Sequence, residues 1–196
     1  YGGALHAVPY RDDHEDPAAL VAKAREVDAK LVYFANPDNP MGSWYPAEVI
    51  LETIAQIPEG ALLVLDEAYI DLAPEGTAPA FVPDDPRVIR MRTFSKGYGL
   101  AGARVGYAVG HADLITSFNK VRNHFGVNRI AQAGALAALD DQAYLAQVQG
   151  RVAAARDRIA AIARENGLEP LPSATNFVTI DCGRDGVFAR AVLDGL

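Results

Sequence analysis

Three groups of polar residues in this sequence could do chemistry, and each follows a run of apolar residues. Residues 36–42 read NPDNPMG, residues 66–69 read DEAY and residues 93–97 read TFSKG. In open α/β sheets, ligands bind outside the carboxyl ends of the strands, where such groups come together. The order of the three groups therefore predicts one shared ligand site.

Lys96 is the candidate reactive residue. Three glycines follow it within six positions, so backbone can approach a ligand closely there. A lysine can pair with a phosphate or, when deprotonated, attack a carbonyl to form a Schiff base. Arg104 could grip a phosphate with two hydrogen bonds, and the hydroxyls of Thr93 and Ser95 could add neutral ones. A solvated surface lysine is the ordinary alternative.

Asp66 closes a wholly apolar run, so a carboxylate there needs a partner if the run is a buried strand. The backbone could cap it, or the protonated ring nitrogen of a cofactor could pair with it. In the second case Tyr69 and the amide of Asn39 could donate to an oxygen on the same ring.

Runs of apolar and β-branched residues alternate along the chain with segments that are compatible with helices, and three of these runs lead directly into the polar groups. The runs lie at about 4–11, 31–35, 61–65, 88–94 and 104–109. This order predicts an α/β fold with a largely parallel sheet covered on both faces. The run 61–65 lacks polar alternation, which is typical of a strand buried on both faces.

Proline and asparagine mark the expected helix ends. Asp16 and Pro17 predict an N-cap and first helical position, and Pro46 predicts the start of a second helix. Residues 71–87 contain four prolines and predict a surface loop. Later, 141–165 predicts a long helix closed by 166–167.

The C-terminal part departs from the alternating pattern. Residues 131–139 are rich in alanine, residues 168–181 predict one or two strands, and residues 185–194 predict a helix. A change of layer near 140–165 is a plausible domain boundary, with the long helix as the connector.

Residues 97–102 spell GxGxxG, the dinucleotide-binding pattern, but their context is wrong for it. The pattern must open a helix, yet the next strand-like run begins at about Arg104. No acidic residue stands about 20 positions further on to hold a ribose. We therefore expect no dinucleotide site here.

Composition excludes several classes of function. The 196 residues carry a formal charge of −7, which disfavours a broad grip on nucleic acid or anionic membrane. The one cysteine, Cys182, allows no internal disulfide, and we expect it to be a small buried apolar residue in a reducing cytoplasm. No run is long enough to span a bilayer, and no metal site is predicted.

The three groups together resemble a known signature. NPDNPMG, DEAY and TFSKGYGLAGARVGY, in that order, are similar to the pyridoxal 5′-phosphate (PLP) enzymes of aminotransferase class I/II, fold type I. Among these, the sequence most resembles the histidinol-phosphate aminotransferases. The resemblance spans essentially the whole chain. It implies a three-layer α/β/α fold with a mainly parallel sheet, and a smaller α+β C-terminal domain that begins within this chain.

The resemblance also implies roles for the site residues. Lys96 is then the Schiff-base lysine and general base, Asp66 pairs with the pyridine nitrogen, and Asn39 and Tyr69 hold the ring oxygen. The phosphate-binding residues are then Thr93, Ser95 and Arg104. His124 and Asn128 fall near the substrate side in relatives, and we expect them to be ordinary polar residues.

The sequence departs from the family pattern at one position of the first motif, and its two ends do not resemble the ends of a complete family member. Met41 stands where the family usually has threonine, which could alter the pocket or only the turn. Both ends look interrupted, so we expect a segment of a longer chain. The expected division is 1–140 for the second part of the PLP-binding large domain, 141–167 for a connector helix and 168–196 for the start of the small domain.

The resemblance implies a homodimeric transaminase with small-molecule substrates, and the single cysteine indicates a cytoplasmic location. It moves an amino group between an amino acid or histidinol phosphate and a 2-oxo acid such as 2-oxoglutarate. A PLP-dependent lyase or decarboxylase of the same fold is one alternative, because cofactor residues do not decide which bond breaks. A non-catalytic PLP-sensing module is the other.

Overall fold

A computed structural model describes residues 2–80 and 85–195. The strands are β1 (Leu31–Ala35), β2 (Leu62–Asp66), β3 (Val88–Thr93), β4 (Gly106–Gly110), β5 (Glu169–Pro170) and β6 (Ile180–Asp181). The helices are α1 (Pro17–Glu26), α2 (Ala47–Gln56), α3 (Ala112–Ser117), α4 (Arg129–Asp140), α5 (Gln142–Glu165) and α6 (Gly186–Asp194). The α/β class is confirmed.

The main sheet has the order β1-β2-β3-β4. The first three strands are parallel, and β4 runs antiparallel to β3. The predicted strand at 104–109 is thus found two residues later, and it reverses direction because no helix crosses over between β3 and β4. The expected strand at 4–11 is wrong: apart from one isolated bridge between Arg11 and His14, this segment has no strand partner.

The core lies between one face of the sheet and the first two helices. Val32 and Phe34 of β1 and Leu63 and Leu65 of β2 point into it, together with Ile50 of α2. The opposite face is more open than expected, because β2 alternates buried with half-buried residues and Tyr33 of β1 is 56% exposed. This open face carries part of the site described below.

The predicted helix ends are largely confirmed. The Oδ1 atom of Asp16 accepts a hydrogen bond from Ala19 N at 3.0 Å, and Pro17 takes the first helical position. Pro46 differs, since it is the N-cap residue of α2 rather than part of its first turn. The predicted loop at 71–87 begins with a short 3₁₀ turn at Ile70–Leu72, and its residues 81–84 lie outside the described residues.

The predicted long helix at 141–165 is also confirmed. Helix α5 has 24 residues and ends at Glu165, with Asn166 as its C-cap, and Gly167 follows with φ of +71°. Beyond it, β5 and β6 form a two-stranded antiparallel sheet. No helix within residues 2–80 and 85–195 is both long and apolar enough to cross a membrane.

Candidate active site

The carboxyl ends of the three parallel strands meet at one edge of the sheet. Ala35, the last residue of β1, lies beside Asp66 of β2, which in turn lies beside Met91 of β3. The three polar groups of the sequence start within two residues of these positions. The strand register therefore brings the three polar groups to one edge of the sheet, as the sequence predicts.

Asp66 has a hydrogen-bond donor on each carboxylate oxygen. Ala68 N donates to Oδ1 at 2.9 Å, and the hydroxyl of Tyr33 donates to Oδ2 at 2.7 Å. The backbone cap considered from the sequence is thus present. Tyr33 is an additional partner that sequence reasoning missed, although its position two residues before the end of β1 puts it on the same face as Asp66.

Tyr69 connects two of the predicted site residues. Asn39 Nδ2 donates to its hydroxyl at 3.0 Å, and Lys96 Nζ lies 4.9 Å from the centre of its ring. Phe177 packs edge-on against the ring of Tyr69, with ring centres 5.5 Å apart. Because Tyr69 is buried, these contacts fix where its hydroxyl points.

The loop that carries Asn39 is held by its own polar side chains. Asn36 exchanges two hydrogen bonds with the backbone of Tyr45, at 2.8 and 3.0 Å. Asp38, which is buried, accepts a hydrogen bond from Met41 N at 3.2 Å. The hydrogen bond that closes this turn therefore comes from the backbone of Met41, so it does not depend on which side chain stands at position 41.

Thr93 and Ser95 lie together at the end of β3. Their hydroxyl oxygens are 2.9 Å apart, and Thr93 Oγ1 also accepts from Ser95 N at 3.0 Å. Arg104 was expected at the start of a strand, but it lies before β4 in a left-handed conformation with φ of +54°. Its exposed guanidinium donates to Ala101 O at 2.7 Å. The neighbouring Val105 carbonyl accepts from Phe94 N, which keeps this segment beside Thr93.

The segment 97–102 opens no helix, as expected. It forms a turn in which Gly99 has φ of +69°, followed by a short 3₁₀ turn at Ala101–Ala103. Asn128 is structural, since its Oδ1 caps α4 by accepting from Ala131 N at 2.8 Å. His124 is exposed, and Cys182 is half-buried rather than buried.

Glu67 is a buried charge that sequence reasoning missed. Its carboxylate is 1% exposed and receives a two-pronged contact from Arg90, at 2.6 and 2.9 Å, and a further one from Arg92 at 2.9 Å. Arg90 also donates to Pro79 O at 3.0 Å. Two arginines two positions apart in a strand share a face, and this spacing was the available signal.

Two further acids lie beside the site, where the N-terminal segment of the chain contacts the end of β1 and the loop that follows it. Glu15 accepts a hydrogen bond from Ala35 N at 3.2 Å, and Asp38 accepts one from the Tyr10 hydroxyl at 3.0 Å. Burial raises the pKa of the Glu15 carboxyl from 4.5 to about 8, opposed by the Ala35 hydrogen bond and increased by the charges of Asp38 and Asp66.

The C-terminal part of the chain contacts the loop that carries Asn39. Ala174 N donates to Gly42 O at 2.9 Å, and Thr179 Oγ1 donates to Pro40 O at 2.5 Å. Gly42 has φ of +80°, and a Cβ atom at this position would lie 2.6 Å from Ser173 Oγ. Only glycine fits this turn, and the close approach fixes the loop to the C-terminal part.

The lysine, carboxylate, tyrosine and asparagine at the carboxyl edge of the sheet belong to a chain whose sequence matches a known family. The sequence profile of the family described as aminotransferase class I and II matches residues 1–193. The chain therefore belongs to the aminotransferase class I and II family.

Within that family, the chain is similar to histidinol-phosphate aminotransferases. It is 54% identical to the Sinorhizobium meliloti enzyme, whose crystal structure is in complex with pyridoxal-5′-phosphate. The match has a TM-score of 0.97 and covers 98% of this chain and 53% of that one. It is 40% identical to histidinol-phosphate aminotransferase 1 of Nitrosococcus oceani, over 94% of this chain and 50% of the relative.

The fold is shared more widely in the family. Aspartate aminotransferase from Thermus thermophilus with maleate is 26% identical, with a TM-score of 0.79, over 92% of this chain and 50% of that one. The chain thus spans about half the length of the relatives that it matches.

Proposed function

We propose that this chain is the cofactor-binding part of a PLP-dependent aminotransferase that uses histidinol phosphate as its amino donor. The observation that carries the proposal is the arrangement of Asn39, Tyr69 and Lys96 beside Asp66, at the ends of adjacent parallel strands. The similarity to histidinol-phosphate aminotransferases supports the choice of donor. The proposed amino acceptor is a 2-oxo acid such as 2-oxoglutarate.

The residues present fit PLP by the chemistry of their donors and acceptors. Asp66 offers a carboxylate for the protonated ring nitrogen, because two donors leave further lone pairs on its oxygens. Tyr69 and Asn39 would donate to the ring oxygen through the phenol hydroxyl and the side-chain amide. Thr93, Ser95 and Arg104 supply hydroxyl and guanidinium donors for the phosphate.

When bound, PLP supplies an electron sink for the charge that develops at the substrate α-carbon. Lys96 would hold the cofactor covalently through its Nζ atom until the substrate amine replaces it. The amine of Lys96, once free, would take the proton from the substrate α-carbon and return it to the cofactor carbon that bears the amino nitrogen, acting as base and acid in turn. Asp66 would keep the ring nitrogen protonated, while Tyr69 and Asn39 would hold the ring oxygen.

The proposal extends to the organisation of the protein. Residues 1–140 belong to the large domain, 141–167 form the connector helix and 168–196 begin the small domain. The intact protein is a cytoplasmic homodimer with its active site at the subunit interface. The hydrogen bonds from Ala174 and Thr179 to Gly42 and Pro40 support a small domain that packs on the loop that carries Asn39.

The test uses the purified intact protein with PLP, histidinol phosphate and 2-oxoglutarate. We expect glutamate to form in a one-to-one ratio with donor consumed, and faster than with an aromatic amino acid. Lys96→Ala should abolish both turnover and the visible absorption of the bound cofactor. Lys30→Ala, which removes an exposed lysine paired with Asp28, is the matched control and should leave both unchanged.

The outcomes separate the alternatives. Donor consumption without glutamate would indicate a lyase or decarboxylase of the same fold. Bound cofactor without turnover of any amino donor would indicate a PLP-sensing module. A protein that stays colourless with excess PLP would refute the proposal altogether.

A further inference from the structure

Tyr33 reaches Asp66 because of where the strand register puts it. Its neighbours Val32 and Phe34 point into the core, so the side chain of Tyr33 stands on the open face of the sheet. In the register it lies beside Val64, two residues before Asp66. The long phenol side chain extends along the strand and brings its hydroxyl to 2.7 Å from Asp66 Oδ2.

The two donors on Asp66 come from different parts of the backbone. Ala68 N belongs to the turn that follows β2, whereas Tyr33 belongs to the neighbouring strand. The terminal torsion of an aspartate is broad, so one donor alone leaves the carboxylate free to turn. Donors on both oxygens fix its plane, and a hydrogen bond to a charged acceptor is about twice as strong as one to a neutral acceptor.

The surroundings keep Tyr33 in the form that donates. Burial, followed by the hydrogen bond to Asp66 and its charge, raises the pKa of the Tyr33 phenol well above its usual value. The other charged groups near it are Glu15 and Asp38, and both act in the same direction. The phenol is therefore protonated at neutral pH, and its proton is available to Asp66.

We propose that Tyr33 is a positioning residue that orients the Asp66 carboxylate toward the ring nitrogen of the cofactor. This proposal rests on the proposed function, because it requires that Asp66 bind that nitrogen. Tyr33 does not contact the reacting atoms in this role. It acts through Asp66, so its contribution disappears when Asp66 no longer carries a charge.

The experiment measures PLP affinity in the intact protein. The cofactor is removed, and the dissociation constant for PLP is determined by absorbance titration for the wild type and for Tyr33→Phe. Loss of a hydrogen bond to a charged group predicts binding that is weaker by about tenfold. Tyr144→Phe is the matched control, since Tyr144 is a similarly exposed tyrosine on α5, and it should bind PLP like the wild type.

A second pair of variants tests whether Tyr33 acts through Asp66. In an Asp66→Asn background the hydrogen bond from Tyr33 goes to a neutral amide, so adding Tyr33→Phe should weaken PLP binding by less than about threefold. Thermal unfolding of the cofactor-free variants checks that each one folds.

The results distinguish this proposal from the proposed function. An unchanged dissociation constant in Tyr33→Phe would overturn the role of Tyr33 and leave the proposed function standing. The same tenfold loss in both backgrounds would also overturn it, because Tyr33 would then act independently of Asp66. A wild-type protein that binds no PLP would refute both.

Discussion

The half-buried Glu15 makes a sharp prediction about stability and pH. Its carboxylate lies near Asp38 and Asp66, and burial raises its pKa from 4.5 to about 8. Glu15→Gln removes the titrating group but keeps an oxygen that can accept the hydrogen bond from Ala35 N. The variant should therefore be more stable than the wild type at pH 8 and equal to it near pH 4.5.

The sign follows from proton binding in the two states. Below pH 4.5 the acid is protonated in both the folded and the unfolded chain, so it has no effect on stability. As the pH rises, the unfolded chain releases the proton first, while the folded chain holds it until about pH 8. Stability of the wild type therefore falls across this window and then levels off.

The magnitude can be bounded from the same values. The interval from 4.5 to about 8 corresponds to an upper bound of about 5 kcal/mol, at about 1.4 kcal/mol for each pH unit. Glu15 is only half-buried, and screening by solvent reduces this to about 1 to 2 kcal/mol. The free energy of unfolding of Glu15→Gln should exceed that of the wild type by this amount at pH 8.

The assay is urea unfolding of the cofactor-free intact protein at several pH values between 4.5 and 8.5. Glu59→Gln, at an exposed position, is the matched control for replacing a glutamate by a glutamine. If the difference in stability between Glu15→Gln and the wild type does not change with pH, or changes no more than it does for Glu59→Gln, the reasoning about Glu15 is wrong.

Two further variants test packing at the site. Gly42→Ala should lower the free energy of unfolding by about 1 to 2 kcal/mol because of the positive φ, and by a similar amount because of the contact with Ser173. Gly60 has the same φ of +80° but open space around it, so Gly60→Ala should show only the first of these two losses in urea unfolding. Equal costs would contradict the clash. Glu67→Gln removes the carboxylate that pairs with Arg90 and Arg92 and should cost about 3 to 5 kcal/mol. Asp28→Asn, in an exposed pair with Lys30, should change the unfolding midpoint little, and a similar small effect for Glu67→Gln would contradict the buried-pair argument.

Much of the site could be predicted because its chemistry is local in sequence. Each polar group directly follows a strand, so finding β1, β2 and β3 was enough to place Asn39, Asp66 and Lys96 at one edge. The reversal of β4 was missed, although the missing helix between β3 and β4 could have indicated it. A chain that does not cross over must return antiparallel.

The remaining partners depend on packing between distant segments. The proximity of Glu15 to Asp38 and Asp66 depends on how the N-terminal segment folds over the end of β1, and no periodicity encodes it. The contact between Tyr33 and Asp66 is likewise not encoded locally. The alternation of residues in β1 predicts which face of the sheet Tyr33 occupies, but not that its hydroxyl reaches Asp66. The run at 4–11 has strand-like composition, yet strand formation also requires a neighbouring strand to pair with.

The contact between Thr179 and Pro40 has a consequence for the order of folding. These residues are 139 positions apart, and the entropic cost of closing so long a loop must be met before the contact can form. During synthesis, β1, β2 and the loop between β1 and α2 leave the ribosome well before residues 174–179 do. The loop that carries Asn39 therefore acquires its last supporting hydrogen bonds late, and the site matures only after the C-terminal part has been made.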